Sequence, residues 1–226
     1  MVETPPNLYA EKTVEYFARA RTEIAPLLPK NPAQPLRVLE IGCSEGHTLE
    51  WLKKAGHSNW TAGVEPYAEL RASPGAVDQF FKLDIEKTLP GLPPASVDLI
   101  LCLDVLEHLV NPWDTLRRLD ALLKPGGSWI ISVPNIRNYH ILVDLAFKGR
   151  FNYSESGILD RTHLRFFTRD SAIELVESAG ARVTQILGTE TGRWQKRLLA
   201  ALGLGDLLAK QFILKAEKRL DASSRS

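Results

Sequence analysis

The sequence predicts an α/β fold, a doubly wound and mostly parallel sheet. Two observations carry this. Short, nearly continuous apolar runs alternate with stretches of helical periodicity, as in a parallel sheet covered on both faces. Acidic residues and glycines then recur just after the apolar runs, at the carboxyl edge where such sheets bind ligands.

The apolar runs are LRVLEIG (36–42), WTAGVEP (60–66), DQFFKLD (78–84), VDLILCLD (97–104) and SWIISVPN (128–135), with ARVTQILGT (181–189) and QFILKAEKR (211–219) as two last strands. HTLEWLKKAG (47–56) reads as a helix stopped by Gly56. Asn111 and Pro112 form a cap and first turn. Trp113, Leu116, Leu119 and Leu123 then mark the buried stripe of a helix ended by Pro125-Gly126-Gly127. Thr168 caps another helix, with Ile173, Val176 and Ala179 inward and Gly180 as its stop. Residues 9–28 form an amphipathic pattern through Val14, Phe17, Ile24 and Leu28; Pro26, Pro29, Pro32 and Pro35 end it as a stiff linker. The 226 residues suit one domain over 1–226, with 1–35 as helix and linker and 136–167 as an insertion.

Composition excludes several classes. A formal net charge of +1 gives no case for nucleic acid. No run approaches the roughly 18 apolar residues of a membrane span. The start MVETPPNLYAEK lacks a basic stretch followed by an apolar one, so a cytoplasmic protein is expected. Cys43 and Cys102 sit in apolar contexts and read as buried free thiols; no Cys/His spacing suggests a metal site. The stretch 193–209 is amphipathic, with Arg193, Lys196 and Arg197 on one side. It reads as a helix on the sheet, and it leaves room for peripheral membrane contact.

The strand ends carry the chemistry. EIGCSEG places Glu40, Gly42, Cys43 and Gly46 after the first strand; Gly42 allows a tight turn and Gly46 close helix packing. This is neither a Walker loop nor a GxGxxG fingerprint, which disfavours a nicotinamide-dependent oxidoreductase. Glu65 ends the second strand beside Pro66 and can accept from both hydroxyls of a ribose. Asp84-Ile85 ends the third, suited to an exocyclic amine beside an apolar contact. Leu103-Asp104 ends the fourth, followed by Glu107 and His108.

VLEIGCSEG, GVEP, KLDIE, VDLILCLDVLEHL and LKPGGSWIISVPN together resemble the class I S-adenosylmethionine-dependent methyltransferases. The family usually has a middle glycine in the first loop, where this chain has Ser44. The resemblance implies a seven-stranded sheet with the last strand antiparallel. It implies S-adenosylmethionine as cofactor, with its methionine end at Glu40 and Gly42, its ribose at Glu65, its adenine at Asp84 and Ile85, and its sulfonium beside Leu103 and Asp104.

Between the fifth strand and Thr168 lie roughly thirty residues, and a connection that long is usually functional. PNIRNYH, GRFNY and GILDRTHLRFFT resemble a methyltransferase subgroup associated with bacterial cell-surface glycan and polysaccharide synthesis. The segment is therefore expected to form an acceptor-side lid, anchored by Phe166 and Phe167, with Tyr139, Asp160, Arg161 and Arg165 as candidate acceptor contacts. Asp160, Arg161 and Arg165 could equally form a buried ion-pair latch.

Hydroxyl methylation calls for a general base. His163 is the first candidate, unless it ties the lid down through Asp160 or a backbone carbonyl. His108 is the second, unless it belongs to the cofactor-side wall. The leading expectation is O-methylation of a sugar hydroxyl on a glycan. The alternatives are a quinone or natural-product O-methyltransferase and a non-catalytic cofactor-binding subunit.

Overall fold

The computed structural model describes residues 19–29, 34–67, 69–189 and 204–219. Seven strands form one sheet in the order β3-β2-β1-β4-β5-β7-β6. They are β1 (Leu36–Ile41), β2 (Ser58–Val64), β3 (Gln79–Phe81), β4 (Val97–Leu103), β5 (Leu123–Pro134), β6 (Ala181–Gly188) and β7 (Gln211–Lys218). Pairing is parallel from β3 through β5, and β7 runs antiparallel to both β5 and β6. Strand order reverses between β1 and β4, so a crevice opens at their carboxyl ends.

Alternate strand residues feed two apolar layers, as the pleat requires. Leu39, Ile41, Ile100, Cys102, Ile131 and Val133 pack with helix α2 (Pro112–Asp120) and helix α4 (Arg169–Ser178) on one face. Val38, Leu99, Leu101 and Ile130 pack with helix α1 (His47–Lys54) and with Ile24 and Leu27 on the other. Both cysteines are buried free thiols. Helix α3 (Tyr139–Lys148) lies between β5 and α4 and buries none of its residues.

Several boundaries differ from expectation. Residues 1–18, most of the N-terminal amphipathic pattern, lie outside the described residues. Thr22–Leu27 is a 3-10 helix with Pro26 inside it, not at its end. Helix α2 ends at Asp120. Pro125-Gly126-Gly127 belongs to β5, where the register against β4 shifts and Gly126 takes φ +75°. A bulge, not a helix stop, uses these residues. Trp113 is consequently exposed and Leu123 lies in β5. In α4 Val176 is buried as expected, Ala172 and Leu175 are buried beside it, and Ile173 and Ala179 are half-buried. The edge strand β3 is shorter than predicted and pairs with β2 over Gln79–Phe81. Of residues 193–209, those up to 203 lie outside the described residues, and Gly205–Leu208 is a 3-10 turn.

The start of α4 is the sharpest agreement. The Thr168 hydroxyl accepts from Ser171 N, and the Ser171 hydroxyl reaches back to Thr168 N at 2.9 Å, a reciprocal cap. Thr168→Ala should lower the unfolding free energy by about 1 kcal/mol, measured as a shift in denaturant midpoint at unchanged slope.

Candidate active site

A cavity of about 630 Å³ opens at the carboxyl ends of β1, β2 and β4. All nine strand-end residues singled out for the cofactor line it: Glu40, Gly42, Cys43, Glu65, Pro66, Asp84, Ile85, Leu103 and Asp104.

Backbone sterics shape its floor. Gly42 has φ +69°, its N–H donates to Val64 O at 2.8 Å, and a Cβ there would come within 2.5 Å of Val105 Cγ2. Gly46, at φ +87°, meets Leu70 instead, so it packs and does not face the cavity. Ser44 also stands in the left-handed region, at φ +50°. Its N–H donates to Glu65 Oε2 at 3.0 Å, while Glu65 Oε1 accepts from Tyr67 N at 2.9 Å. One carboxylate thus ties two ligand-facing turns together.

On the other side, Asp84 Oδ1 accepts from Glu86 N at 3.0 Å and Asp84 Oδ2 pairs with Lys87. The Glu86 carboxylate accepts from Val110 N and Asn111 N at 3.0 and 2.7 Å. Arg118 donates to the carbonyls of Ile85 and Glu86. This wall is therefore clamped to the start of α2.

The charged groups are unevenly paired. Arg21 Nη1 donates to Asp104 Oδ2 at 2.6 Å and its Nε to Glu23 at 2.5 Å. Ser132 Oγ and Gln211 Nε2 donate to Asp104 Oδ1. Burial pulls the Arg21 guanidinium down, but the Asp104 and Glu23 carboxylates outweigh it and hold its pKa above the ordinary value. Glu40 is 2% exposed, and its Oε2 has no hydrogen-bond partner among the described residues. Burial raises its pKa to about 8 against the opposing pull of Arg21. Burial likewise pushes both cysteine thiols up, so neither is reactive.

Of the two histidines, only His108 lines the cavity. Its Nδ1 stands 3.1 Å from Thr162 O, and burial, then the neighbouring His163, lowers its pKa to about 4. His163 is 8% exposed, holds Ile158 O through Nδ1 at 2.9 Å, and meets the His108 ring edge-on at 4.8 Å between centroids. It stands behind His108 as seen from the cavity. Tyr139, Asp160, Arg161 and Arg165 do not line the cavity either. The ion-pair latch is corrected: Asp160 accepts from Thr162 N and Oγ1, Arg161 pairs with Glu155, and Arg165 donates to Val110 O beside Trp113. Leu164 N and Arg165 N both donate to Glu107 O, at 2.8 and 2.9 Å, so this part of the expected lid is a wall docked behind β4.

Sequence reasoning missed Arg21, Gln211 and Ser132, which converge on Asp104 from distant chain positions and carry no local signal. Glu107, just after the fourth strand, carries no local signal of a role either. Glu107 is 1% exposed, neither carboxylate oxygen has a hydrogen-bond partner among the described residues, and burial, then Asp104, raises its pKa well above the carboxylate range. Glu107, His108 and His163 place donor atoms within 4.8 Å of one another, a spacing that could hold a metal ion.

Comparisons with known proteins agree with this geometry. The Methyltransferase domain family matches residues 10–186. The chain belongs to the class I S-adenosylmethionine-dependent methyltransferases. The methyltransferase is 29% identical over 157 residues to a ubiquinone biosynthesis O-methyltransferase of Xanthomonas campestris pv. campestris, covering 64% of this chain and 65% of that protein. A Colwellia psychrerythraea protein of the same name is 29% identical over 168 residues, covering 70% of this chain and 66% of the relative. The chain thus spans just under two thirds of the length of these relatives. Among solved structures, an S-adenosylmethionine-dependent methyltransferase from Archaeoglobus fulgidus superposes with TM-score 0.65 at 19% identity, covering 90% and 97% of the two chains. The Burkholderia thailandensis 1,6-didemethyltoxoflavin-N1-methyltransferase superposes with TM-score 0.59 at 18% identity, covering 88% and 77%. Both share the fold. The cavity fits the cofactor on two observations: the Oε2 of Glu40 stands buried without a partner among the described residues, and the turn at Gly42 leaves no room for a side chain.

Gly42→Ala in the methyltransferase should destabilise by about 1–3 kcal/mol, from the positive φ and the overlap with Val105. Val105→Ala in the same chain should recover the steric part and leave the backbone part, read as melting temperatures of the single and double variants.

Proposed function

We propose that the methyltransferase is an O-methyltransferase whose acceptor is a phenolic or quinol-type hydroxyl. The observation that carries this is His108. Of the two imidazoles that line the cavity among the described residues, His47 pairs with Glu45 and Glu50, whereas His108 lies within electrostatic reach of Asp104. Its lowered pKa keeps it neutral, able to take a proton, but makes it a weak base. A weak base suits a phenol, with a pKa of about 10, better than the far less acidic hydroxyl of a sugar. The relatives named as ubiquinone biosynthesis O-methyltransferases support the same acceptor class. A second reading, O-methylation of a glycan hydroxyl, rests on the segment GILDRTHLRFFT and its resemblance to the polysaccharide-associated subgroup.

The cofactor supplies a methyl group already activated on a sulfonium. The protein's part is therefore mostly orientation and removal of the acceptor proton. Glu65 would hold the ribose hydroxyls, with its Ser44 and Tyr67 bonds fixing its position. Asp84 and Ile85 would hold the adenine. Glu40 would face the ammonium of the methionine end and Arg21 its carboxylate. Leu103 and Asp104 would line the transfer point, and Asp104, restrained by Ser132 and Gln211, would orient the acceptor. His108, held through Nδ1 by Thr162 O, would present Nε2 to the acceptor hydroxyl. His163 would position His108 and not touch the acceptor. Residues 1–226 are read as one methyltransferase domain in which 159–167 forms the wall behind His108.

The Glu40 assignment has a pH signature. Free Glu40, with its pKa near about 8, is mostly protonated at pH 7, whereas a bound ammonium favours the carboxylate. Cofactor binding should therefore release a proton, ~0.9 at pH 7 by the separation of pH and pKa, and affinity should rise as pH rises towards 8. Calorimetry in two buffers of different ionisation enthalpy measures it; no release would remove Glu40 from the ammonium.

The base assignment is tested by substitution. His108→Asn should lower turnover by about 10²–10⁴-fold with cofactor affinity unchanged. His163→Asn should cost more in stability than in turnover. In the parent protein, kcat/KM should fall as pH drops through a midpoint near about 4. Labelled methyl transfer to catechol and quinol acceptors should exceed transfer to glycan fractions. The reverse preference would favour the sugar reading, and no transfer to either would favour a non-catalytic subunit.

A further inference from the structure

The insertion between β5 and α4 divides into two unlike halves. Residues 159–167 are docked: Leu159, Asp160, Thr162, His163 and Phe167 are buried, and Phe167 pairs with Asn135. Helix α3 is not; the residues after it return to the docked half, where Phe151 and Tyr153 meet Phe166 ring to ring and Ser154 bridges Asp160. Leu142, Val143, Leu145 and Phe147 stand in water, Phe147 at 84% exposure, while Phe151 and Tyr153 show one side to water and pack the other on each other and on Phe166. A helix reading YHILVDLAFK that buries no side chain is not a stable arrangement for a surface facing water alone. The helix is nonetheless well specified at its ends: Asn138 caps it by accepting from His140 N, and Gly149 ends it at φ +59°.

The chemistry of the patch says what covers it. Aromatic residues bracket the helix, Tyr139 at its start and Phe147, Phe151 and Tyr153 at and beyond its end, as in segments that lie in a membrane–water interface. Over residues 137–150 three cations, Arg137, Lys148 and Arg150, stand against the single carboxylate of Asp144, which Lys148 already pairs at 2.6 Å. A second copy of this chain docking by the same face would bring these cations together across a two-fold axis. An anionic lipid surface would neutralise them. No helix among the described residues is long and apolar enough to cross a membrane, so the contact would lie in the interface.

We propose that helix α3 and the segment to Tyr153 form a peripheral docking surface for an anionic lipid bilayer, with the aromatic and aliphatic side chains in the headgroup boundary and Arg137 and Arg150 on the phosphates. The helix follows β5, at the same edge of the sheet as the cavity, so docking sets the cavity beside the membrane. The proposal goes beyond the acceptor assignment and stands whichever hydroxyl is methylated.

The test is sedimentation of the full chain with vesicles of phosphatidylcholine alone and of phosphatidylcholine with phosphatidylglycerol. Binding is expected to the anionic vesicles and to weaken with salt. Leu145→Glu with Phe147→Glu should weaken it at least ~tenfold, since the buried apolar area supplies the insertion. Arg137→Gln with Arg150→Gln should weaken it by about fivefold for each arginine. These residues lie away from the cavity, and circular dichroism and melting temperature should match the parent. No binding to either vesicle, equal binding to both, or equal binding by the Leu145/Phe147 variant would each overturn the proposal. So would a dimer by light scattering that this variant splits, since the occupant would then be a second copy.

Discussion

The hydrogen bonds that the Glu65 carboxylate accepts from the N–H groups of Ser44 and Tyr67 hold the site together. A parallel sheet leaves its carboxyl edge unfinished, and the turns leaving that edge have no ladder to fix them. Glu65 does so from inside, where burial removes the competition of water and makes each bond to a charged acceptor worth more. It holds Ser44 in a left-handed conformation that a non-glycine residue seldom adopts unaided. With that turn fixed, Gly42 passes Val105 without room for a side chain, and the crevice takes its shape.

Around this frame the protein buries carboxyl groups whose charged form is costly to desolvate. Glu40 and Glu107 lie deep with oxygens lacking hydrogen-bond partners among the described residues, and desolvation raises both pKa values. Asp104 is the opposite case, compensated by Arg21, Ser132 and Gln211 brought from three separate elements. Perturbed carboxylates and a depressed histidine at one sheet edge are the pattern expected where a charged ligand must be met and a proton moved.

The long insertion shows the same economy. Its second half is pinned to Glu107 O and to the β5 end, giving His108 a rigid carbonyl partner and a ring neighbour. Its first half is a capped helix with no core of its own. Charges and paired phenylalanines coexist in ILDRTHLRFFT because the polar groups satisfy local backbone. Asp160 caps Thr162, His163 holds Ile158, and Phe167 enters the core.

The sequence by itself determined the strands, their order of appearance, the caps at Asn111 and Thr168, and the strand-end residues of the ligand edge. These depend on local periodicity, backbone propensity and the position of a residue within its own element. It also carried the resemblance that implied the antiparallel last strand. It misassigned Pro125-Gly126-Gly127, because a bulge and a helix stop use the same residues and the pairing partner decides between them. It left His163 open between the acceptor and a tie to a backbone carbonyl, because a polar residue in a long connection looks alike whether it faces a cavity or holds a neighbouring carbonyl, as His163 holds Ile158 O. Tertiary structure alone brought Arg21 to Asp104 across 83 residues, set His163 behind His108, and separated the docked half of the insertion from the exposed helix. Those outcomes follow from which surfaces meet after the sheet has closed, and no window of the chain contains both partners.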